Sequence, residues 1–259
     1  MYFKERQETM RVREYNIETQ KENIDLKICV VSDLHARVHT DCLAAVKSTG
    51  ADMILCAGDM LERLDGSKDE HNASGIEFLR EISKLAPTYY AFGNHERFGS
   101  HREMRRNPIG DCYITLDNLE RIQDTGAILV NDKYVACNNI YIGGVVPVEE
   151  NANILEKEVF LREFSLIDGY KILLSHQPEY YDELKNFDFD LVISGHAHGG
   201  QWRIFNRGVY APDQGLFPKY SAGIYDEKLI VSTGAVNTKK PIPRIFNPTE
   251  ILLLHIKTK

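Results

Sequence analysis

Two histidines separated by one residue carry the clearest chemical signal in this chain. His196 and His198 follow directly after the apolar run at residues 191–193, within a segment bounded by Gly195 and Gly199. Side chains two positions apart on a β-strand point to the same face, so we expect both imidazoles to enter one site at the end of the strand. Imidazole binds zinc, iron, nickel and copper, and the pattern therefore predicts a metal site.

Four further strand-like runs also end at residues that could bind a metal ion. The runs cover residues 27–31, 53–57, 88–92 and 171–174, and the candidate ligands after them are Asp33, His35, Asp59, Asn94 and His176. With the two histidines, this set is too large for one tetrahedral ion but suits two. A carboxylate offers two oxygens, so Asp59 is the natural bridge between the ions. Two-metal hydrolytic sites hold their ions about 3.5–4 Å apart.

The elements that must position these residues alternate between strands and helices. Further strands are predicted at residues 13–19, 208–210, 228–232 and 251–256, and helices at 41–49, 74–85, 115–124, 151–164 and 178–186. Thr40 is expected to cap the first helix and Gly50 to end it. Short strands at 128–130, 134–137 and 140–142 suggest a meander. This order favours a layered α/β (α+β) sandwich, with two mixed central sheets flanked by helices and the site at the strand ends.

Length and composition favour one ordinary globular domain. The chain has 259 residues, of which 43% are hydrophobic and 27% charged, and we expect a single domain over residues 1–259, with residues 1–23 as an N-terminal extension and edge strand. Its formal net charge of −7 argues against a nucleic-acid partner. The five cysteines form no CxxC pair, which favours reduced thiols and a cytoplasmic protein. Neither a signal peptide nor a membrane span is predicted.

The ordered motifs resemble those of the calcineurin-like metallophosphoesterases. The motifs are Asp33-x-His35, Gly58-Asp59, Gly93-Asn94-His95-Glu96, Ser175-His176 and Gly195-His196-x-His198. The resemblance extends from about residue 26 to residue 256 and implies the fold of that family. Residues 210–220 and 243–248 are similar to a bacterial branch of YkuE-like and YaeI-like phosphoesterases. Some members of that branch resemble lipid A precursor (UDP-diacylglucosamine) pyrophosphatases.

The resemblance also implies a division of roles. Asp33, His35, Asp59 and His198 would hold a first divalent ion, and Asp59, Asn94, His176 and His196 a second. Manganese is the expected metal, with iron, zinc, cobalt and nickel as alternatives. A hydroxide bridging the ions would attack phosphorus, with Asp59 and His95 as catalytic residues. His95 would contact a phosphate oxygen or protonate the leaving group, and Arg37 and Asn94 would also bind substrate.

Two departures from the common family pattern and several open alternatives remain. Glu96 stands where many relatives have aspartate, although its longer side chain could still reach His95. Arg37 stands where many relatives have a small or apolar residue. The expected substrate is a phosphomonoester, phosphodiester or pyrophosphate, either lipid-linked or nucleotide-linked. A metal-bearing scaffold without hydrolysis is the alternative function. Peripheral membrane contact through Phe217, Tyr220 or Tyr225 is a further hypothesis, and no oligomeric state is predicted.

Overall fold

Two mixed β-sheets form the centre of this computed structural model, which describes residues 10–37, 39–62, 72–97, 116–148, 152–236 and 244–259. From edge to edge, the first sheet contains β1 (Arg11–Thr19), β16 (Glu250–Thr258), β2 (Asp25–Val31), β3 (Met53–Ala57), β4 (Thr88–Ala91) and β5 (Ile128–Leu129). The second contains β14 (Gly223–Tyr225), β15 (Leu229–Val231), β9 (Leu191–Ser194), β8 (Tyr170–Ser175), β7 (Ile140–Val145) and β6 (Lys133–Cys137). β2 to β5 run parallel in the first sheet, as do β7, β8, β9 and β15 in the second.

The main hydrophobic core lies between the two sheets. Ile28 and Leu55 of the first sheet are buried in the same cluster as Ile172 and Ile193 of the second. Helices α1 (Thr40–Thr49), α2 (Ala73–Ser83) and α4 (Leu116–Gln123) contribute to a cluster on the outer face of the first sheet. Helices α5 (Glu158–Ser165) and α6 (Tyr181–Leu184) do the same on the second. The predicted layered sandwich is therefore confirmed, and its parallel strands are apolar on both faces because both faces are covered.

Several local predictions were wrong in ways that have simple causes. Thr40 is the first residue of α1 and not its cap; His39 stands at the cap position without a side-chain hydrogen bond. The predicted meander does not form, because β5 pairs with β4 in the first sheet while β6 pairs with β7 in the second. Short apolar runs indicate a strand but do not specify its partner.

Other predicted elements formed with altered bounds. Gly50 ends α1 in the left-handed conformation with φ +55°, as expected, and β1 lies at a sheet edge. The predicted helices at 151–164 and 178–186 each begin with a 3-10 turn, at Ile154–Lys157 and Pro178–Tyr180. Four parts of the predictions lie outside the described part of the chain: residues 1–9 of the N-terminal extension, residue 115 of the helix at 115–124, residue 151 and residue 243. Within that part, no helix is both long enough and apolar enough to cross a bilayer.

Candidate metal centre

Most of the predicted metal ligands form two adjoining clusters at the carboxyl ends of five strands. Asp33, His35 and His198 each offer one ligand atom within 4.8 Å of the others, and so do Asp59, His176 and His196. Asp59 links the clusters, because its Oδ2 lies 3.9 Å from His35 Nε2 and 3.2 Å from His176 Nε2. Asn94 begins the short helix α3 (Asn94–Arg97) directly after β4, next in sequence to His95. The structure thus brings the predicted residues to one place.

The left-handed backbone conformation of the turns, and not the alternation of side chains along a strand, determines the direction of these side chains. β9 ends at Ser194, so the prediction that His196 and His198 share one face of a strand was wrong, and the two fall in different clusters. Positive φ angles occur at Asp33 (+54°), His35 (+51°), Asp59 (+53°), His196 (+62°) and His198 (+45°). A non-glycine residue in this conformation costs on the order of 1–3 kcal/mol of conformational free energy, and such residues concentrate at functional sites. The turn after each strand therefore sets where its ligand points.

Glycines provide the space that the clusters occupy. A Cβ at Gly58 would lie 2.5 Å from His176 Nδ1, and one at Gly93 would lie 2.2 Å from Asp59 Oδ1. A Cβ at Gly195 would lie 2.5 Å from Asp33 Oδ2. All three contacts are far inside van der Waals distance, so the Gly-Asp, Gly-Asn and Gly-His motifs have a steric basis.

Backbone groups fix the orientation of the candidate ligands. Asp59 Oδ1 accepts a hydrogen bond from the His95 backbone N–H at 2.8 Å, and Asp33 Oδ1 accepts one from the His196 N–H at 2.9 Å. The His176 ring donates from Nδ1 to the Ala57 carbonyl at 2.7 Å. Since this bond occupies Nδ1, Nε2 of His176 is the nitrogen available to an ion.

The electrostatics of the clusters suit bound cations. Burial alone would raise the pKa of Asp33 and Asp59, but the surrounding imidazoles hold both pKa values below their usual range. Burial lowers the pKa of His35 and His198. Burial also opposes the charged form of His176, yet Asp59 and Asp33 raise its pKa to about 10. The carboxylates are thus charged and the imidazoles of His35 and His198 neutral, which are the forms that ligate metal, whereas His176 would give up a proton to bind an ion.

Several buried polar atoms in the clusters have no hydrogen-bond partner within the described structure. They are Asp33 Oδ2, Asn94 Oδ1 and both ring nitrogens of His35. An unsatisfied buried polar atom is costly and calls for a physical explanation. Divalent cations would satisfy the two oxygens and one ring nitrogen of His35, whose other nitrogen would keep its proton, so the residues present fit a metal centre.

Of two glutamates near Asp59, Glu62 and not Glu96 holds the position beside His95 that the sequence suggested for Glu96. The Glu96 carboxylate accepts hydrogen bonds from the N–H groups of Asp59, Leu61 and Gly93 and from the Tyr90 hydroxyl, at 2.7–2.9 Å. Burial and the Asp59 charge raise the pKa of Glu96. Glu62 Oε1 instead lies 2.5 Å from His95 Nδ1. The prediction that Glu96 could reach His95 is therefore corrected.

Glu62 was not among the residues predicted from the sequence. It stands three residues after Asp59, in the segment that returns from β3 past the site. Its place three residues after a predicted metal ligand was the one signal that the sequence offered, because the contact with His95 joins residues 33 apart in the chain.

Two more missed residues border the site. Asp213, in the turn between β12 (Tyr210–Ala211) and β13 (Gly215–Leu216), has Oδ2 at 2.8 Å from His196 Nε2. Arg244 has Nη2 at 3.4 Å from His198 Nδ1, and its buried Nε and Nη1 atoms have no hydrogen-bond partner in the described structure. Burial lowers the pKa of Arg244 to about 10. Arg37 is half-buried with its carbonyl bonded to Ser74 Oγ, and its substrate role stays a prediction.

Comparison with known proteins gives a consistent set of similarities. The family model described as calcineurin-like phosphoesterase matches residues 26–200. An uncharacterized metallophosphoesterase of Campylobacter jejuni is 30% identical over 97% of this chain and 64% of its own length. An uncharacterized metallophosphoesterase of Aquifex aeolicus is 28% identical over 96% of this chain and 93% of its own. Phosphodiesterase YaeI of Escherichia coli is 24% identical over 82% of this chain and 75% of its own length. The chain thus spans less than two-thirds of the Campylobacter protein.

Proposed function

The chain belongs to the calcineurin-like phosphoesterase family, and from that premise we propose that it hydrolyses phosphoesters with two divalent cations. The observation that carries this proposal is the pair of adjoining clusters that share Asp59. A scaffold without hydrolysis would not need buried ligand atoms that lack hydrogen-bond partners around one shared carboxylate.

The proposed ligand sets extend the two clusters, with Asp59 added to the first and Asn94 to the second. Asp33, His35, Asp59 and His198 would hold the first ion, and Asp59, Asn94, His176 and His196 the second. When bound, two divalent cations supply Lewis acidity and lower the pKa of water, which makes a nucleophile available near neutral pH. The mixed nitrogen and oxygen donors suit manganese first, and iron, zinc, cobalt or nickel as alternatives.

His95 is the proposed proton donor to the leaving group. Its Nε2 lies 3.8 Å from Asp59 Oδ2, which places the ring at the edge of the clusters, and its side chain is partly exposed. Glu62 would orient the ring and favour its protonated form through Nδ1. His95 can thus meet both solvent and a bound ester.

Arg244 and Asn94 are proposed to bind the phosphoryl group, with Arg37 as a further contact. The Nε and Nη1 atoms of Arg244 have no hydrogen-bond partner in the described structure, so their N–H groups can donate to phosphoryl oxygens, while Nη2 donates to the Val236 carbonyl at 2.7 Å. The substrate class that this supports is a phosphomonoester, phosphodiester or pyrophosphate.

The proposal is tested by metal content and turnover measured on the same preparation. The chain is stripped with a chelator and reloaded with manganese, cobalt or zinc, and its ions are counted by elemental analysis. Turnover is then measured on p-nitrophenyl phosphate and on its bis ester. We expect two ions per chain and metal-dependent turnover. Two ions without turnover on either ester would favour the scaffold, and no bound ion would show that the clusters do not bind metal.

Replacement of Asp59 should abolish activity. Asp59→Asn keeps an oxygen that can accept the His95 N–H bond but removes the charge shared by both clusters. We expect loss of both ions and of turnover, with the fold retained. Elemental analysis and circular dichroism check this result, and Asp41→Asn on the exposed side of α1 is the matched control. Retention of two ions in Asp59→Asn would contradict the bridging role.

A further inference from the structure

Three phenylalanines stand exposed at strained turns. The exposed fractions are 96% for Phe205, 75% for Phe217 and 85% for Phe246. Their φ angles are +49°, +54° and +53°, a region that bulky residues rarely adopt. Glycine or asparagine would adopt these φ angles at a lower cost in conformational free energy, and the aromatic rings are hardly buried. The rings therefore do not serve the packing of the fold.

Backbone hydrogen bonds join the three turns into one surface. The Arg203 N–H donates to the Ile245 carbonyl, and the Val209 N–H to the Trp202 carbonyl, each at 2.9 Å. The Phe217 N–H donates to the Val209 carbonyl at 2.8 Å. We call this surface the phenylalanine face; besides the three rings it includes the exposed residues Trp202, Ile204, Tyr210, Leu216 and Ile245. Contiguous exposed apolar surface marks an interaction site.

The phenylalanine face adjoins the metal centre. Arg203 Nη1, from β10 (Arg203–Ile204), donates to the Gly199 carbonyl at 3.1 Å. Asn247, next to Phe246, donates from Nδ2 to the His198 carbonyl at 2.7 Å. The segments that carry Phe205 and Phe246 are thus hydrogen-bonded to the segment that carries His198.

Positive charges alternate with the apolar residues of this face. Arg203 and Arg207 flank Phe205 on the β10–β11 hairpin (β11, Arg207–Gly208); the half-buried Arg203 guanidinium donates to the Gly199 and Asn206 carbonyls, and Arg207 is exposed. Lys219 lies two residues after Phe217. A cavity of about 500 Å³ beside Phe217 is lined by Arg207 and by Lys219, whose Nζ also bonds Asp182 at 2.6 Å. These cations occur in a chain with a net charge of −7. Aromatic rings among arginines and lysines are complementary to the interface of an anionic bilayer.

We propose that the phenylalanine face docks this protein on an anionic lipid membrane and holds the metal centre at the membrane surface. The separate turn tips, each with one ring and nearby cations, suit insertion among lipid headgroups. Docking of this kind needs no catalysis, so it stands apart from the proposed hydrolysis. Of the membrane contacts expected from the sequence, only Phe217 belongs to the face, because Tyr220 is buried and Tyr225 is half-buried with its hydroxyl bonded to the Ser221 N–H.

The single tryptophan of the chain makes a direct test possible, because Trp202 lies in the phenylalanine face. The full chain is mixed with vesicles of phosphatidylglycerol and phosphatidylcholine in equal parts, and binding is measured by flotation and by the blue shift of Trp202 emission. We expect the protein to float and the emission to shift. Vesicles of phosphatidylcholine alone should bind roughly tenfold more weakly, because the cations lose their partners.

The decisive variant combines Phe205→Ser, Phe217→Ser and Phe246→Ser. Burial of each phenylalanine contributes about tenfold or more to binding, so the triple variant should bind vesicles about a thousandfold more weakly. Val159→Ser with Leu166→Ser is the matched control, since both residues are exposed and apolar but lie on or next to α5. Arg207→Glu should separately weaken binding to the anionic vesicles.

Three outcomes would overturn the proposal. The wild-type chain could stay unbound with both kinds of vesicle, or the triple variant could bind as tightly as the wild type. Sedimentation could instead show a wild-type dimer that the triple variant breaks, which would make the face an interface between two copies. Turnover of a soluble ester by the triple variant should equal that of the wild type, and this separates failed docking from failed hydrolysis.

Discussion

The floor of the metal centre and its rim use the same side-chain types in opposite ways. On the floor, Asp33, Asp59, Glu96 and His176 are each at most 1% exposed. On the rim, the exposed side-chain fractions are 25% for His95, 31% for Glu62 and 54% for Asp213. Buried charge persists only where hydrogen bonds or cations compensate it, whereas a group that exchanges protons or aligns a substrate must remain accessible. We therefore propose that the floor binds the ions and braces the backbone, and that the rim transfers protons.

Glu96 and Glu62 show this contrast within one residue type. Both lie close to Asp59, but Glu96 accepts four hydrogen bonds in the interior, and Glu62 meets His95 at the edge. The number and type of partners, not the carboxylate itself, determine the role. Each of the following predictions tests one side of this comparison.

Replacement of His95 should give the largest loss of rate among the rim residues. His95→Ala removes the proposed proton donor, and general acid catalysis contributes about 10²–10⁴-fold. Both ions should remain, because the ring is not a proposed ligand. Steady-state kinetics and elemental analysis check this result, with His255→Ala on β16 as a control. Loss of metal from His95→Ala would mean that the His95 ring binds an ion, which would contradict the proposed difference between rim and floor.

Glu96→Gln should reduce stability because of the four donors around the carboxylate. A glutamine amide keeps one oxygen, but its NH₂ group would face two hydrogen-bond donors in the interior. We expect a loss of about 3 kcal/mol, since unsatisfied buried groups cost about 1–3 kcal/mol each. For a chain of this size that lowers Tm by about 6–12 °C, measured by differential scanning calorimetry. An unchanged Tm would show that Glu96 does not brace the floor.

Variants of Asp213 test whether a rim residue also affects the affinity of the floor for a metal ion. Its bond to His196 Nε2 leaves Nδ1 of that ring for the second ion, and partners of metal ligands typically contribute 10–100-fold, by order of magnitude, to metal affinity. Asp213→Ala should therefore weaken the second ion by about that factor and leave the first unchanged. Asp213→Asn, which keeps an acceptor, should lose less than the alanine variant. Titration calorimetry separates the two ions, and equal weakening of both would contradict this role.

The floor was predictable from sequence to a greater extent than the rim. Asp33, Asp59, Asn94 and His176 each follow an apolar strand, and strand ends converge by the rules of the fold. Their orientation was not predictable, because it depends on left-handed φ angles at residues such as His196. Asp213 and Arg244 come from irregular segments with no periodic pattern. A hydrophobic pattern predicts where a chain is buried, but it carries no information on how a turn directs a polar side chain.

We expect Glu62→Gln to cause the smallest loss of turnover among these variants. The matching variant Glu96→Gln serves as its comparison, because the same change is made at a buried carboxylate. The glutamine can still bond His95 Nδ1, so only the charge that favours the protonated ring is lost. A nearby carboxylate stabilises the protonated imidazole, so we expect turnover to fall about tenfold and the deficit to grow as the pH rises. Tm should change little, because surface substitutions usually shift stability by less than about 0.5 kcal/mol. A pH-independent loss of rate, or a fall in Tm like that of Glu96→Gln, would mean that Glu62 braces the fold as Glu96 does. A pH-dependent loss at constant Tm would assign chemistry to the rim and bracing to the floor.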